Sequence, residues 1–412
     1  MVPKGWASLQ LGKIMSFKNG LNFTKTDNGD SIKIVGVGDF KDFTELSSTE
    51  HLELISVAGR IRDEELLNNG DLLFVRSNGN KDLIGRCMFF PEVRERLSFS
   101  GFTIRGRVIN EAALPAYMAI VARSSQFQTQ ISKASGGTNI SNLSQQILND
   151  INLLLPPLIE QKKIAQILST WDKAISVTEK LLTNSQQQKK ALMQQLLSGK
   201  KRLLDENGVM FSGEWEVVRL KQLIHEEKKR NRDNHIQRVL SVTNHSGFVL
   251  PEEQFSKRVA SEDVSTYKIV KKNQYGYNPS RLNVGSFARL DNYDEGVLSP
   301  MYVVFSINHE RLNSDYFLNW MSSNEAKQRI AGSTQGSVRD SVGFDALCSF
   351  SFSLPTLMEQ QKIAAVLSAA DAEMSMLEKK LACLKEEKKA LMQQLLTGKR
   401  RVNVESEETV SA

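Results

Sequence analysis

The sequence predicts an α+β protein built as an internal repeat. Two mixed modules are joined and separated by two long helices that pair as an antiparallel coiled coil, an arrangement with an approximate two-fold axis. A 47-residue stretch recurs without a gap at an offset of 199. A 3.5-residue apolar period runs through both copies, and the segments outside them read as short strands and helices.

At 412 residues the chain exceeds one ordinary core, so two or three units are expected. Its 40% hydrophobic and 24% charged residues exclude a mostly disordered or collagen-like chain. No uncharged apolar run reaches the roughly 20 residues that a membrane span needs. The first residues, Met1 to Trp6, lack the apolar core of a secretory signal. A cytoplasmic protein with no membrane partner is therefore expected. Cys87, Cys348 and Cys383 are too scattered for a disulfide framework, and the five histidines show no ligand spacing for a metal. The net charge of +6 permits a polyanionic partner without requiring one.

In the first module, residues 32–37, 71–75, 102–109 and 151–155 carry the β-branched and apolar runs of strands, with a helical stretch over 113–133. The second module repeats this with strands at 302–307 and 350–354 and a helical stretch over 314–330. After each module comes the shared segment. Residues 156–202 and 355–401 are identical at 26 of 47 positions, among them the whole run from Lys189 to Leu197 against Lys388 to Leu396. Weaker matches extend backwards: Tyr117, Ser124 and Ile131 meet Tyr316, Ser323 and Ile330. Leu97-Ser98 meets Leu298-Ser299, and Trp6 with Leu11 meets Trp215 with Leu220. The offset drifts from 209 to 199, which places the deletions of the second copy in mid-module.

Spacing of 4,3,4,3 from Ile164 to Leu196 is apolar at seven of ten positions, and from Ile363 to Leu395 at nine of ten. That is the seam of a helix packed along another helix. Pro156 and Pro355 precede the helices, and Gly199 and Gly398 end them. About 40 residues at 1.5 Å each make a rod of roughly 60 Å.

Chemistry is sparse. No phosphate-binding Gly-x-x-x-x-Gly-Lys, nucleophile elbow or His-Glu-x-x-His occurs, and Gly36-Val37-Gly38 reads as a turn. Tyr277-Asn278-Pro279-Ser280 only faintly resembles the Asn-Pro-Pro-Tyr motif of amino-methyltransferases and has no cofactor loop beside it. A non-catalytic chain with no cofactor and no metal is expected. What the modules do carry is polar, basic, glycine-containing loops in matching places. Residues 76–81 answer to 277–283, and 135–142 answer to 332–339. Arg, Asn, Gln, Ser and Thr are the side chains that read base edges and phosphates. The expected DNA contacts are Arg76, Asn78, Lys81, Asn139, Ser141 and Asn142, then Asn278, Arg281, Asn283, Thr334, Gln335, Ser337 and Arg339. Solvated turns are the plainer reading of each loop alone; their repetition favours contact.

These residues together resemble the specificity subunit of type I restriction-modification systems, over essentially the whole chain. The most specific marks are Pro-Pro-Leu-Ile-Glu-Gln (156–161) and Pro-Thr-Leu-Met-Glu-Gln (355–360). Each leads into a helix ending Leu-Met-Gln-Gln-Leu-Leu-Ser/Thr-Gly. Gly-Asp-Leu-Leu-Phe (70–74), Trp6 and Trp215 also fit, while Asn-Gln-Tyr-Gly-Tyr (273–277) departs from the pattern. The resemblance implies target recognition domains over 1–155 and 205–354, spacer helices over 156–204 and 355–402, and a disordered acidic tail over 403–412. It implies a bipartite double-stranded DNA target and partner subunits: DNA adenine methyltransferases, which the helices dock, and restriction/translocase subunits. S-adenosylmethionine and ATP would belong to those partners. The competing reading is a coiled-coil scaffold without DNA recognition.

Overall fold

The computed structural model describes residues 2–22, 25–40, 44–46, 48–57, 60–134, 142–244, 246–254, 263–334 and 341–404. The acidic tail expected over 403–412 lies outside them from residue 405 onwards. The chain divides into two compact units, one of residues 1–178 with 380–412 and one of 179–379. No helix among the described residues is long and apolar enough to cross a membrane.

The first unit runs β1 (Ala7–Gln10), β2 (Met15–Asn19), β3 (Lys25–Val35), β4 (Glu53–Val57), β5 (Asp71–Val75), β6 (Cys87–Phe90), β7 (Leu97–Phe99) and β8 (Thr103–Val108). Helices α1 (Pro115–Ala122), α2 (Ser125–Ala134) and α3 (Gln145–Asp150) lead to β9 (Asn152–Leu155) and the first long helix, α4 (Leu158–Leu196). The central sheet has the order β2-β8-β5-β6 and is antiparallel throughout. A second sheet, β4-β3-β7, pairs β3 with β7 in parallel, and β1 pairs with β9. All five residues of β5 are buried, which is why its sequence is a continuous apolar run after Asp71 rather than an alternation.

Asp71 begins β5 fully buried, with both carboxylate oxygens 2.7 Å from the Arg107 guanidinium and one accepting the Asn68 N–H. Truncating it strands a half-buried guanidinium and an amide. Asp71→Ala is expected to lower stability by about 2 kcal/mol, read as a urea-midpoint shift in the intact chain. A loss near zero would show that water satisfies Arg107.

The second unit contains β10 (Glu216–Arg219), β11 (Ile224–Glu226), β12 (Ser241–Thr243), β13 (Gly247–Val249), α5 (Pro251–Gln254), β14 (Lys268–Lys271), β15 (Tyr275–Tyr277), β16 (Phe287–Arg289), β17 (Glu295–Leu298) and β18 (Val303–Ile307). Then follow α6 (Ser314–Met321), α7 (Asn324–Thr334), α8 (Phe344–Cys348), β19 (Ser351–Leu354) and the second long helix, α9 (Leu357–Leu396). Its central sheet, β11-β18-β15-β16, matches that of the first unit strand for strand. The core is more aromatic: Tyr275, Phe305 and Phe317 cluster, and Trp320 meets the Phe352 ring edge-on at 4.5 Å.

Several sequence expectations are refined. Each helical stretch is two helices, because Ser124 and Ser323 break them. Ser124 Oγ accepts from the Phe127 N–H and Ser323 Oγ from the Ala326 N–H, so each serine caps a new helix. The strand over 32–37 ends at Val35, after which Val37–Phe40 forms a 3-10 turn. Matching Leu97-Ser98 to Leu298-Ser299 is corrected. The Thr103 N–H donates to the Ser100 carbonyl and the Tyr302 N–H to that of Ser299, which makes the equivalent serines Ser100 and Ser299. The departing segment 273–277 does occupy the place of 70–74. Gly70 (φ +84) and Asn273 (φ +68) both turn left-handed into the central strand. Gln274 accepts from the Lys271 N–H as Asp71 does from that of Asn68.

The long helices have 39 and 40 residues. Gly199 (φ +70) and Gly398 (φ +67) end them in the left-handed conformation. All seam positions from Ile164 to Leu196 and from Ile363 to Leu395 are buried or half-buried. The seam lysines have a reason. In the first unit Lys388 pairs with Asp172, and in the second Lys189 pairs with Asp371.

The repeated Glu-Gln motif is a joint. Gln161 accepts from the Leu114 N–H at 2.8 Å and donates to the carbonyls of Ala112 and Pro156. Gln360 does the same with Asn313, Arg311 and Pro355. Beside it, Glu160 accepts from Trp6 Nε1 and is paired with Arg401, while Glu359 accepts from Trp215 Nε1 and is paired bidentately with Arg202. Each arginine also lies over its tryptophan, at 5.7 and 5.6 Å from the ring centroid.

Candidate nucleic-acid interface

In the first unit the strand β5 delivers its loop to one edge of the central sheet. The Arg76 N–H donates to the Phe102 carbonyl at 2.8 Å, and Arg76 Nη1 lies 3.4 Å from the Gly101 carbonyl. Asn78 Oδ1 accepts from the Asn80 N–H, and Asn80 Oδ1 caps the 3-10 turn of Lys81–Leu83 through the Asp82 N–H. These short-range bonds are Asx turns, and they hold the loop in shape. Lys81 is exposed.

The residues that follow the second predicted loop meet the first. The Leu143 N–H donates to the Arg76 carbonyl at 2.7 Å, which sets exposed Asn142 beside the Arg76 loop. In the second unit the loop after β15 is shorter: Asn278 directly caps the 3-10 turn Pro279–Val284, accepting from the Ser280 N–H. Arg281 and Asn283 are exposed on that turn. There the Val342 N–H donates to the Pro279 carbonyl at 3.0 Å, the counterpart of the Leu143–Arg76 bond. In both units, therefore, one backbone hydrogen bond at the same place ties the turn after the central strand to a residue close behind the second predicted loop.

Asn139, Ser141, Gln335, Ser337 and Arg339 lie outside the described residues. Thr334 is the last residue of α7, and its side chain is also outside them. Arg76 is half-buried, with its guanidinium against the Gly101 carbonyl, and Arg281 is exposed. Alongside the first loop lies a concavity of about 780 Å³, walled by Ser77, Asn78, Gly79, His51, Glu53 and Phe102. The sequence reading missed that the turn 100–103 belongs to this edge. The serine shared by Ser100 and Ser299 was the available signal, but the matching of Leu97-Ser98 to Leu298-Ser299 hid it.

Comparison with known proteins gives a consistent picture. A family model described as the type I restriction modification DNA specificity domain matches residues 3–184 and 212–386. The type I restriction enzyme StySPI specificity subunit of Salmonella potsdam is 27% identical over 199 residues, which are 47% of this chain and 42% of that protein. The chain thus aligns with less than half the length of that relative. The MjaVIII specificity subunit of Methanocaldococcus jannaschii is 23% identical over 429 aligned residues, covering 97% of this chain and 94% of that one. The crystal structure of a type I restriction-modification S subunit from M. genitalium superposes with a TM-score of 0.56 over 96% of both chains at 12% identity, a likeness of fold alone.

Proposed function

The chain belongs to the type I restriction-modification DNA specificity family, and from that premise we propose that its modules, 1–155 and 205–354, are target recognition domains. Each reads one half of a bipartite double-stranded DNA target. The observation that carries this is the paired loop edge, built by the same hydrogen bond in two modules whose loop sequences differ. One frame holding two sets of reading side chains is what two different DNA words require. Arg76, Asn78, Lys81 and Asn142, with Asn139 and Ser141, serve the first half-site. Asn278, Arg281 and Asn283, with Thr334, Gln335, Ser337 and Arg339, serve the second. They reach base edges in the major groove while arginine and lysine hold phosphates.

The helices over 156–204 and 355–402 form an antiparallel coiled-coil spacer in this proposal. Supporting it, contacts on α4 rise from 160 to 172 while their partners fall from 401 to 388. In the second unit 189 and 202 pair with 371 and 359. Each unit thus forms the same two equivalent pairs. The spacer sets the distance between half-sites and docks DNA adenine methyltransferase subunits, with restriction/translocase subunits completing the complex. Catalysis resides in those partners, and the target adenine leaves the base stack to reach them.

The test is to express the chain with its methyltransferase partner and map adenine methylation across the host genome at base resolution. The expected result is a split motif, two short words around a fixed gap, absent without this chain. Stable complex formation with no new methylation, together with a flat dependence of DNA binding on salt, would overturn the reading in favour of a scaffold.

A further inference from the structure

Among the large apolar side chains exposed near the loop ends, two occupy equivalent places, one in each module. Phe102 and Met301 are both 64% exposed. They sit on equivalent four-residue turns, Ser100-Gly101-Phe102-Thr103 and Ser299-Pro300-Met301-Tyr302. In each turn the last N–H donates to the serine carbonyl, and the apolar residue takes the third, outermost position. The turns lead into β8 and β18, which pair with β5 and β15, the strands that launch the reading loops. In the first module the link is direct: both Arg76 and Ser77 donate their N–H groups to the Phe102 carbonyl. Phe102 also walls the concavity beside Asn78.

A single exposed apolar residue is ordinary on a protein surface. Recurrence is what needs a cause. The modules differ in loop length and in most residues, and the amino acid itself changes from Phe to Met. Yet the same turn holds a large apolar group equally clear of the core. Neither group belongs to a core cluster, so core packing does not account for keeping both. Apolar side chains at a DNA interface contact the thymine methyl in the major groove or the face of a base. Both residue types suit this, the phenyl ring as a flat stacking surface and methionine as a flexible, polarisable one.

We propose that Phe102 and Met301 are specificity-determining residues, each making an apolar contact with one base of the half-site that its own module reads. The inference rests on the proposed DNA-reading function. Its test uses the full chain in its methyltransferase complex, with Phe102→Ala and Met301→Ala tested separately and together. Binding is measured on the mapped duplex and on a scrambled duplex across a salt series. Each substitution is expected to weaken the mapped duplex about tenfold, the size of one good base contact. Scrambled-duplex binding, the salt slope and the melting temperature should stay unchanged. Methylation maps should relax only the first word for Phe102→Ala and only the second for Met301→Ala.

Two probes separate the sources of the contact. Deoxyuridine in place of thymine removes the methyl, and a wild-type penalty that vanishes in the variant identifies that group. Fluorescence of 2-aminopurine in the half-site that changes with wild type but not with the variant identifies a base face. Unchanged mapped-duplex binding and unchanged words in both variants would overturn the proposal, as would equal weakening on both duplexes. A wild-type complex with no preference for any duplex would instead overturn the DNA-reading function itself.

Discussion

The Arg202→Ala chain is expected to unfold its second unit with about 3 kcal/mol less stability than wild type. Glu359, whose side chain is 1% exposed, would lose its bidentate partner. Among the described residues, Trp215 Nε1 would remain as its donor, 3.1 Å away. Glu359 stands in the first turn of α9, where the helix dipole favours a carboxylate, which keeps the loss at the lower end for a broken buried pair. Arg202→Lys keeps a charge but not the two-pronged geometry, so an intermediate loss is expected. Trp215 and Trp320 lie in this unit and report the transition by fluorescence during urea titration. In Arg401→Ala the mirrored pair is weakened less, because Arg401 is 42% exposed against 20% for Arg202. A loss below about 1 kcal/mol in Arg202→Ala would mean that water replaces the guanidinium, and the joint would then be packing rather than charge.

The second large effect concerns function. If the paired helices space the half-sites, inserting one heptad into both should lengthen the spacer by about 10 Å. At about 3.4 Å per base pair the unread gap widens by about three base pairs. A whole heptad preserves the seam, so the helices still pair with the same faces together. Inserting three or four residues instead would turn the seam out of register, and weaker assembly is expected. The gap is read directly from adenine methylation maps of the inserted chain. A motif with both words intact and the original gap would overturn the idea that the helices measure distance.

The parts of the fold that were legible share a feature: they are written in neighbouring residues. The helix ends follow from proline before and glycine after an apolar period, and β5 follows from an unbroken apolar run. The split of α1 from α2 at Ser124 was missed because a capping serine inside an apolar stretch looks like any helical serine. Only the Phe127 N–H seated on its oxygen distinguishes it. Tryptophans 6 and 215 stood out as repeat partners without their role. That role depends on Glu160 and Glu359, 154 and 144 residues away, and on arginines beyond the far end of the other helix.

By itself, the sequence determined the repeat, the two long helices with their seam, the mixed character of the modules and the loops worth watching. Periodicity and capping are local, so they survive without coordinates. Only the tertiary structure decided what meets what. Leu143 closes on Arg76 and Val342 on Pro279. Asp71 holds Arg107, and the invariant Glu-Gln pair clamps each helix to its module. It also left Phe102 and Met301 exposed on equivalent turns. Apolar spacing says which face of an element is buried, whereas backbone hydrogen bonds between distant loops leave no period in the sequence to read.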